Sequence, residues 1–208
     1  MSSVEIDYCG EGGSDAAIAR ALIAAAGAMP GRDYFHPKKT GKAALAQRVR
    51  GLNAGVVFGS PVLILRDLDQ DAPCAGALVG KLVAKRHPRC MIRIAVPSAE
   101  SWLMADRDAY AAFCGVSVAA LPGQPEKKPR LKTLILGWVK TGQAKKLSRH
   151  MKEARGRGVP DWQSLGEWHA DFARSEWDPI RAAKSGLAPS LTRALGRLRE
   201  IVAAERRR

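Results

Sequence analysis

Three carboxylates in this 208-residue chain are spaced to act together. Glu11 stands in Cys9-Gly10-Glu11-Gly12-Gly13, between an alternating run, Val4–Tyr8, and an Ala-rich stretch that Ser14 or Asp15 would cap. Glycines on both sides permit positive φ and leave room around the carboxylate. Strand, glycine turn and helix make half of a βαβ unit. Its carboxylate would sit at the C-terminal end of a strand, where open α/β sheets bind ligands. Asp67 and Asp69 follow Val62-Leu63-Ile64-Leu65, an apolar run suited to a strand buried on both faces. Residues two apart on a strand share a face, about 6.5 Å between Cα atoms, so these two acids are expected to aim at one point. Unpaired they would repel. A hard cation such as Mg²⁺ or Mn²⁺ resolves that conflict and leaves positions for water and phosphate.

The elements around these acids alternate. After the first helix, Arg32–Phe35 reads as a short second strand. Lys42–Asn53 reads as a helix with Leu45, Val49 and Leu52 on one stripe. Cys74–Arg86 is expected to be a third helix, with Asp71 as its cap. Met91–Val96 reads as a strand, and Ala99–Asp106 as the start of another helix. The order β-α-β-α-β-α-β-α predicts an α/β fold, Rossmann-like, with a mainly parallel sheet flanked by helices. Leu121–Arg130 is rich in Pro and Lys and marks the boundary between an α/β domain, 1–120, and a basic helical C-terminal extension, 121–208. Ser190 is the expected cap of the last helix.

A glutamate after the first strand and Asp-x-Asp after a later one resembles the Toprim domain of topoisomerases, bacterial primases, ribosomal-RNA maturases and nucleases of the overcoming-lysogenisation-defect (OLD) group. Glu11-Gly12-Gly13-Ser14-Asp15 and Asp67-Leu68-Asp69 carry the resemblance. Glu100-Ser101-Trp102-Leu103-Met104-Ala105-Asp106 is similar to the Glu-x-Trp-Leu-x-x-Asp segment of small OLD-like Toprim proteins, some of them associated with phage defence. The resemblance covers Val4–Asp106 and, more faintly, Trp177–Leu198. It implies Mg²⁺- or Mn²⁺-dependent phosphodiester cleavage of DNA or RNA. Asp67 and Asp69 would hold metal, Glu11 would be a ligand or general acid/base, and Glu100 could serve a second metal. Asp15 is either the helix cap or a support behind the ligands, and Glu100 has the alternative of an acid favoured at a helix N-terminus. The resemblance also implies a separate ATPase subunit, since this chain has no phosphate loop. Lys39-Thr40-Gly41-Lys42 ends like one, but His36 stands where glycine is required and Ala43 where Ser or Thr is required.

Composition points to a polyanionic partner. The net charge is +14, and residues 126–158 hold eleven Lys or Arg against Glu126 and Glu153. Lys127, Lys128, Lys145, Lys146 and Arg149 there, with Lys38, Lys39 and Lys42 near the glycine turn, are the candidate nucleic-acid contacts. A solvated helix face is the alternative. No Cys pair has zinc spacing, so Cys9, Cys74, Cys90 and Cys114 are expected to be reduced and separately buried. No H-E-x-x-H motif or triad includes His36, His87, His150 or His169. No apolar segment is long enough to span a bilayer, so no membrane role and a cytoplasmic location are expected. Two other readings of the acids stay open: a non-catalytic nucleic-acid-binding or defence-complex subunit, and a Mg²⁺–nucleotide-binding α/β protein.

Overall fold

The computed structural model describes residues 3–35 and 41–208. Four strands, β1 (Glu5–Cys9), β2 (Met29–Asp33), β3 (Val62–Asp67) and β4 (Cys90–Ala95), form one all-parallel sheet in the order β2-β1-β3-β4. The connecting helices are α1 (Gly13–Ala25), α2 (Lys42–Gly55) and α3 (Ala75–Leu82). After β4 come α4 (Ala99–Met104), α5 (Arg107–Cys114), α6 (Leu131–Lys140), α7 (Lys145–Gly156), α8 (Asp161–Ser175), α9 (Pro179–Lys184) and α10 (Pro189–Glu205).

The pleat of β3 sorts the core into two layers. Leu63 and Leu65 join Ile6, Tyr8 and Met91 on the face covered by α1 and the helices from α4 onward. Val62 and Ile64 join Cys9, Ile92 and Ile94 on the face covered by α2 and α3. The larger layer runs unbroken from Ile6 through Leu121 and Leu147 to Val202, so the apolar core crosses residue 120 without a gap. The helix α8 packs along α1, and α10 lies against both α1 and β4.

The Glu-x-Trp-Leu-x-x-Asp segment ties the two ends of the chain together. Trp102 is fully buried and its Nε1–H donates to Ser190 Oγ at 2.7 Å. Ser190 Oγ and N–H both donate to Glu126 Oε1. Buried Asp106 accepts from Arg181 Nε at 2.5 Å and from the Asp178 N–H at 3.0 Å. Charge-assisted bonds of this kind are the strong ones.

Several sequence-based expectations need correction. The second strand lies three residues earlier than expected, because β2 is an edge strand whose Pro30 and Gly31 hide the alternation. A side chain at position 31 would collide with Asp7 Oδ1 at 2.5 Å, and the neighbouring Arg32 N–H donates to that carboxylate. The third helix stops at Leu82, and Cys74, not Asp71, is its cap. Cys74 is exposed; the other three cysteines are buried, and all four are free. Ala188 precedes α10 as its cap residue, which frees Ser190 for the Trp102–Glu126 link. Among the described residues no helix is long and apolar enough to cross a membrane.

Candidate active site at the switch point

The direction in which the chain steps across the sheet reverses between β1 and β3, the switch point beyond whose C-terminal strand ends open α/β sheets bind their ligands. Glu11 leaves β1 there and Asp67 ends β3. The glycine turn works differently from the sequence-based expectation. Gly10, Gly12 and Gly13 do not take positive φ. Gly10 is required by close approach, since a Cβ there would lie 2.3 Å from Asp15 Cβ. Gly12, extended at φ −150°, is the cap residue of α1. Asp15 sits at the third helical position, and its Oδ2 accepts from the N–H groups of Glu11 (2.7 Å) and Gly12 (3.2 Å). One carboxylate thus caps the helix and fixes the backbone that carries Glu11.

Two ion networks flank this edge, one on each face of the sheet. On the α1 side, Asp67 Oδ1 accepts from the Ala99 N–H at 2.9 Å. Its Oδ2 lies 3.5 Å from Lys132 Nζ. The same ammonium is 3.7 Å from Glu100 Oε1. Ser98 Oγ donates to Glu100 Oε2 at 2.5 Å, and His169 Nδ1 lies 3.6 Å from Oε1. Behind it, Tyr110 Oη and His169 Nε2 are 2.9 Å apart. Burial lowers the His169 pKa to about 4 and raises that of Tyr110 far above the phenolic range. The neutral ring can therefore accept a hydrogen bond from the Tyr110 hydroxyl at Nε2 in the tautomer that directs Nδ1–H toward Glu100.

This inner group is overcharged. Burial, then the Glu100 and Asp15 charges, push the Asp67 pKa well above the carboxylate range. Burial and Glu11 raise Asp15 to about 6. The Glu100 carboxylate, more than any other group, raises the pKa of Lys132. That ammonium is the group's main counterion, loosely placed and 57% exposed.

On the α2 side the charges nearly balance, two cations against three acids. Arg66, one residue before Asp67 and so on the opposite face, is buried between two acids. Its Nη1 is 2.7 Å from Glu11 Oε1, a charge contact out of hydrogen-bond alignment, and its Nη2 donates to Asp71. Lys42 Nζ holds Asp69 Oδ2 at 2.8 Å and Asp71 Oδ2 at 2.9 Å. Lys42, above all, pulls the Asp71 pKa down. Burial still raises that of Glu11 despite Arg66 and Lys42.

The structure thus brings Glu11, Asp15, Asp67 and Glu100 to one edge but turns Asp69 aside. The strand ends at Asp67, and Asp69 takes a left-handed φ of 46°, so the two-residue rule no longer governs it. Its carboxylate is 41% exposed and bound to Lys42, although it stays within electrostatic range of Glu11 and Lys132. Among the described residues, no group of three or more His, Cys, Asp or Glu side chains is gathered tightly enough to ligate one metal ion. The expected set of Glu11, Asp67, Asp69 and Glu100 is therefore not assembled as such. The donors still fit a hard cation in kind: they are all carboxylates, and Lys132 leaves their charge incompletely compensated. Burial holds Cys9 as a thiol, which removes it as a nucleophile.

The basic contacts divide. Lys38 and Lys39 lie outside the described residues, and Lys42 is engaged by Asp69 and Asp71. Lys127, Lys128, Lys145, Lys146 and Arg149 are exposed. Lys132, the basic residue that reaches the carboxylates, was missed as a site residue. So were Arg66, Ser98 and His169. Lys132 and His169 come from the helical half, and nothing local in the sequence marks them. Arg66 was legible in principle, as a charge inside an apolar strand. No family model matches the chain, and no curated protein or solved structure matches it.

Proposed function

We propose that this chain is a phosphodiesterase of the Toprim kind, an OLD-like nuclease acting on DNA or RNA with Mg²⁺ or Mn²⁺. The observation that carries the reading is that Asp67 and Glu100 share one ammonium, that of Lys132, at the C-terminal strand ends, with Asp15 and Glu11 in electrostatic range. Asp67 and Glu100 would hold the cation, and Glu11 would be a further ligand or the general acid/base. The cation would polarise a phosphoryl oxygen and activate water. Arg66 fixes Glu11 from the other face. Ser98 and His169 fix Glu100. Lys132, half exposed at the mouth, is free to turn from the carboxylates to a phosphate oxygen. The exposed bases of 127–157 extend the positive surface beyond it. A role in phage defence beside a separate ATPase belongs to the same proposal.

The test compares wild type with Asp67→Asn on single-stranded, duplex and structured DNA and RNA, in Mg²⁺, Mn²⁺ or chelator. The expected result is metal-dependent cleavage that the substitution abolishes without unfolding the chain. Cleavage in chelator, or an Asp67→Asn variant as active as wild type, removes the acidic edge as the active site. Binding without cleavage leaves the non-catalytic reading, which the protein-borne partners of every candidate carboxylate favour.

A further inference from the structure

Trp162, the second residue of α8, is 75% exposed. The other tryptophans are accounted for by packing. Trp102, Trp138 and Trp177 are buried, and Trp168 stacks on Phe113 and His150 with ring centroids 4.4 and 5.0 Å away. A lone exposed aromatic would mean little. This one projects from a helical hairpin that is held rigid and is strongly cationic.

Rigidity comes from three ties between α7 and α8. Arg155 donates through Nε and Nη2 to the two Asp161 oxygens, both at 2.7 Å. His150 Nε2 lies 3.2 Å from the Ser164 carbonyl oxygen, and its ring packs on Trp168. Leu147, Met151 and Ala154 bury the inner face of α7. The outer face is left with Lys145, Lys146, Arg149 and Lys152, and the turn adds Arg157. All five are exposed, and among the described residues none makes an ion pair. Lys140 lies within electrostatic range of Asp161, the residue before Trp162. Unpaired cations and an open indole face on one hairpin suit a polyanion that also offers unstacked aromatic rings. Single-stranded nucleic acid has both, whereas a duplex hides its base faces inside the stack.

We propose that the α7–α8 hairpin docks single-stranded nucleic acid, with Trp162 stacking on a base and the unpaired lysines and arginines following the backbone. This rests on the reading of the chain as acting on nucleic acid, and narrows its substrate to a single strand or a single-stranded flank. Rigid aromatic platforms of this kind contribute through stacking and tolerate any base.

The experiment measures binding of fluorescein-labelled oligothymidylate and oligouridylate of about twenty nucleotides, and of a blunt duplex of the same length. It uses the full chain as wild type, Trp162→Ala, Trp162→Phe and the triple variant Lys145→Glu, Lys146→Glu, Arg149→Glu. Trp162→Ala is expected to weaken single-strand binding roughly 5- to 100-fold and to leave duplex binding and Tm unchanged. Trp162→Phe should retain part of the affinity. Wild-type tryptophan emission should be quenched by the oligonucleotide, and Trp162→Phe should lose that quenching. The triple variant should flatten the log–log salt dependence by about 0.7 for each phosphate it no longer neutralises. Single-strand binding that is unchanged in Trp162→Ala, or a loss equal for single strand and duplex, overturns the stacking surface and leaves the nuclease reading standing. A wild type that binds neither probe overturns both.

Discussion

The two faces of one sheet edge carry nearly the same residue types but compensate their acids unequally. On the α2 side, Arg66 and Lys42 set two cations against Glu11, Asp69 and Asp71, in close contact. On the α1 side, Asp15, Asp67 and Glu100 share one loosely placed ammonium. The first arrangement stabilises the loops that follow β1 and β3. The second keeps like charges crowded in a buried place, at a cost in stability that a fold alone would not require. The difference separates Asp69 and Asp71, whose charges are closely paired, from Asp15, Asp67 and Glu100, whose charges are not, with Glu11 in electrostatic range of both groups.

The largest effect is expected from breaking the closely paired side. Arg66→Met leaves Glu11 without its close partner, which should cost about 3 kcal/mol. The melting temperature should fall by roughly 5–10 °C in a thermal scan. An equal loss from Lys42→Met would mean that Arg66 is not the keystone. Next comes a pair of substitutions two residues apart. Asp67→Asn removes one of the crowded charges and should raise Tm by about 2–4 °C in metal-free buffer at neutral pH. Asp69→Asn acts on an exposed pair and should stay within about 0.5 kcal/mol. A Tm that rises for Asp69→Asn and falls for Asp67→Asn would reverse the comparison.

The smallest effect is in pH dependence. Asp15 has a folded-state pKa near 6 against an ordinary 3.8. The native state therefore holds this proton more tightly than the unfolded chain. Its contribution to stability is full below about pH 4 and is lost as pH rises through about 6. Asp15→Asn keeps an acceptor for the Glu11 and Gly12 N–H groups but has no proton to lose. The fall in Tm between those pH values should become shallower in the variant.

The parallel sheet could be read from the sequence because each signal was local. The apolar run Val62–Leu65 ends in acids, and a strand–glycine–helix passage surrounds Glu11. These put Glu11 and Asp67 on one edge. The face that Asp69 would take could not be read, because strand periodicity fails once the backbone turns left-handed. Nor could the counterion. Lys132 is one of eleven similar bases, and only the packing of α6 beside α4 selects it. Asp15 presented as cap or support; Gly12 is the cap residue, Asp15 accepts from its N–H, and the Asp15 charge bears on Asp67. The edge strand was displaced because its Gly31 is required by the neighbouring Asp7 and Glu5 side chains, a contact with no periodicity.

The unbroken core across residue 120 bears on how portable the acidic edge is. A genetic fragment ending before Leu121 would retain every motif that draws attention in the sequence. It would also expose the outward side of α1, where Ile18, Leu22 and Ile23 lie in the same core as Phe172 and Leu198. His169 and Lys132 would be missing from the carboxylates they steady. Such a piece would be insoluble or molten rather than a minimal catalytic unit, and grafting the motifs onto another sheet would transfer the acids without their counterion. The acidic edge is thus a property of the whole chain, and recombination within it could exchange only the solvent-facing layer.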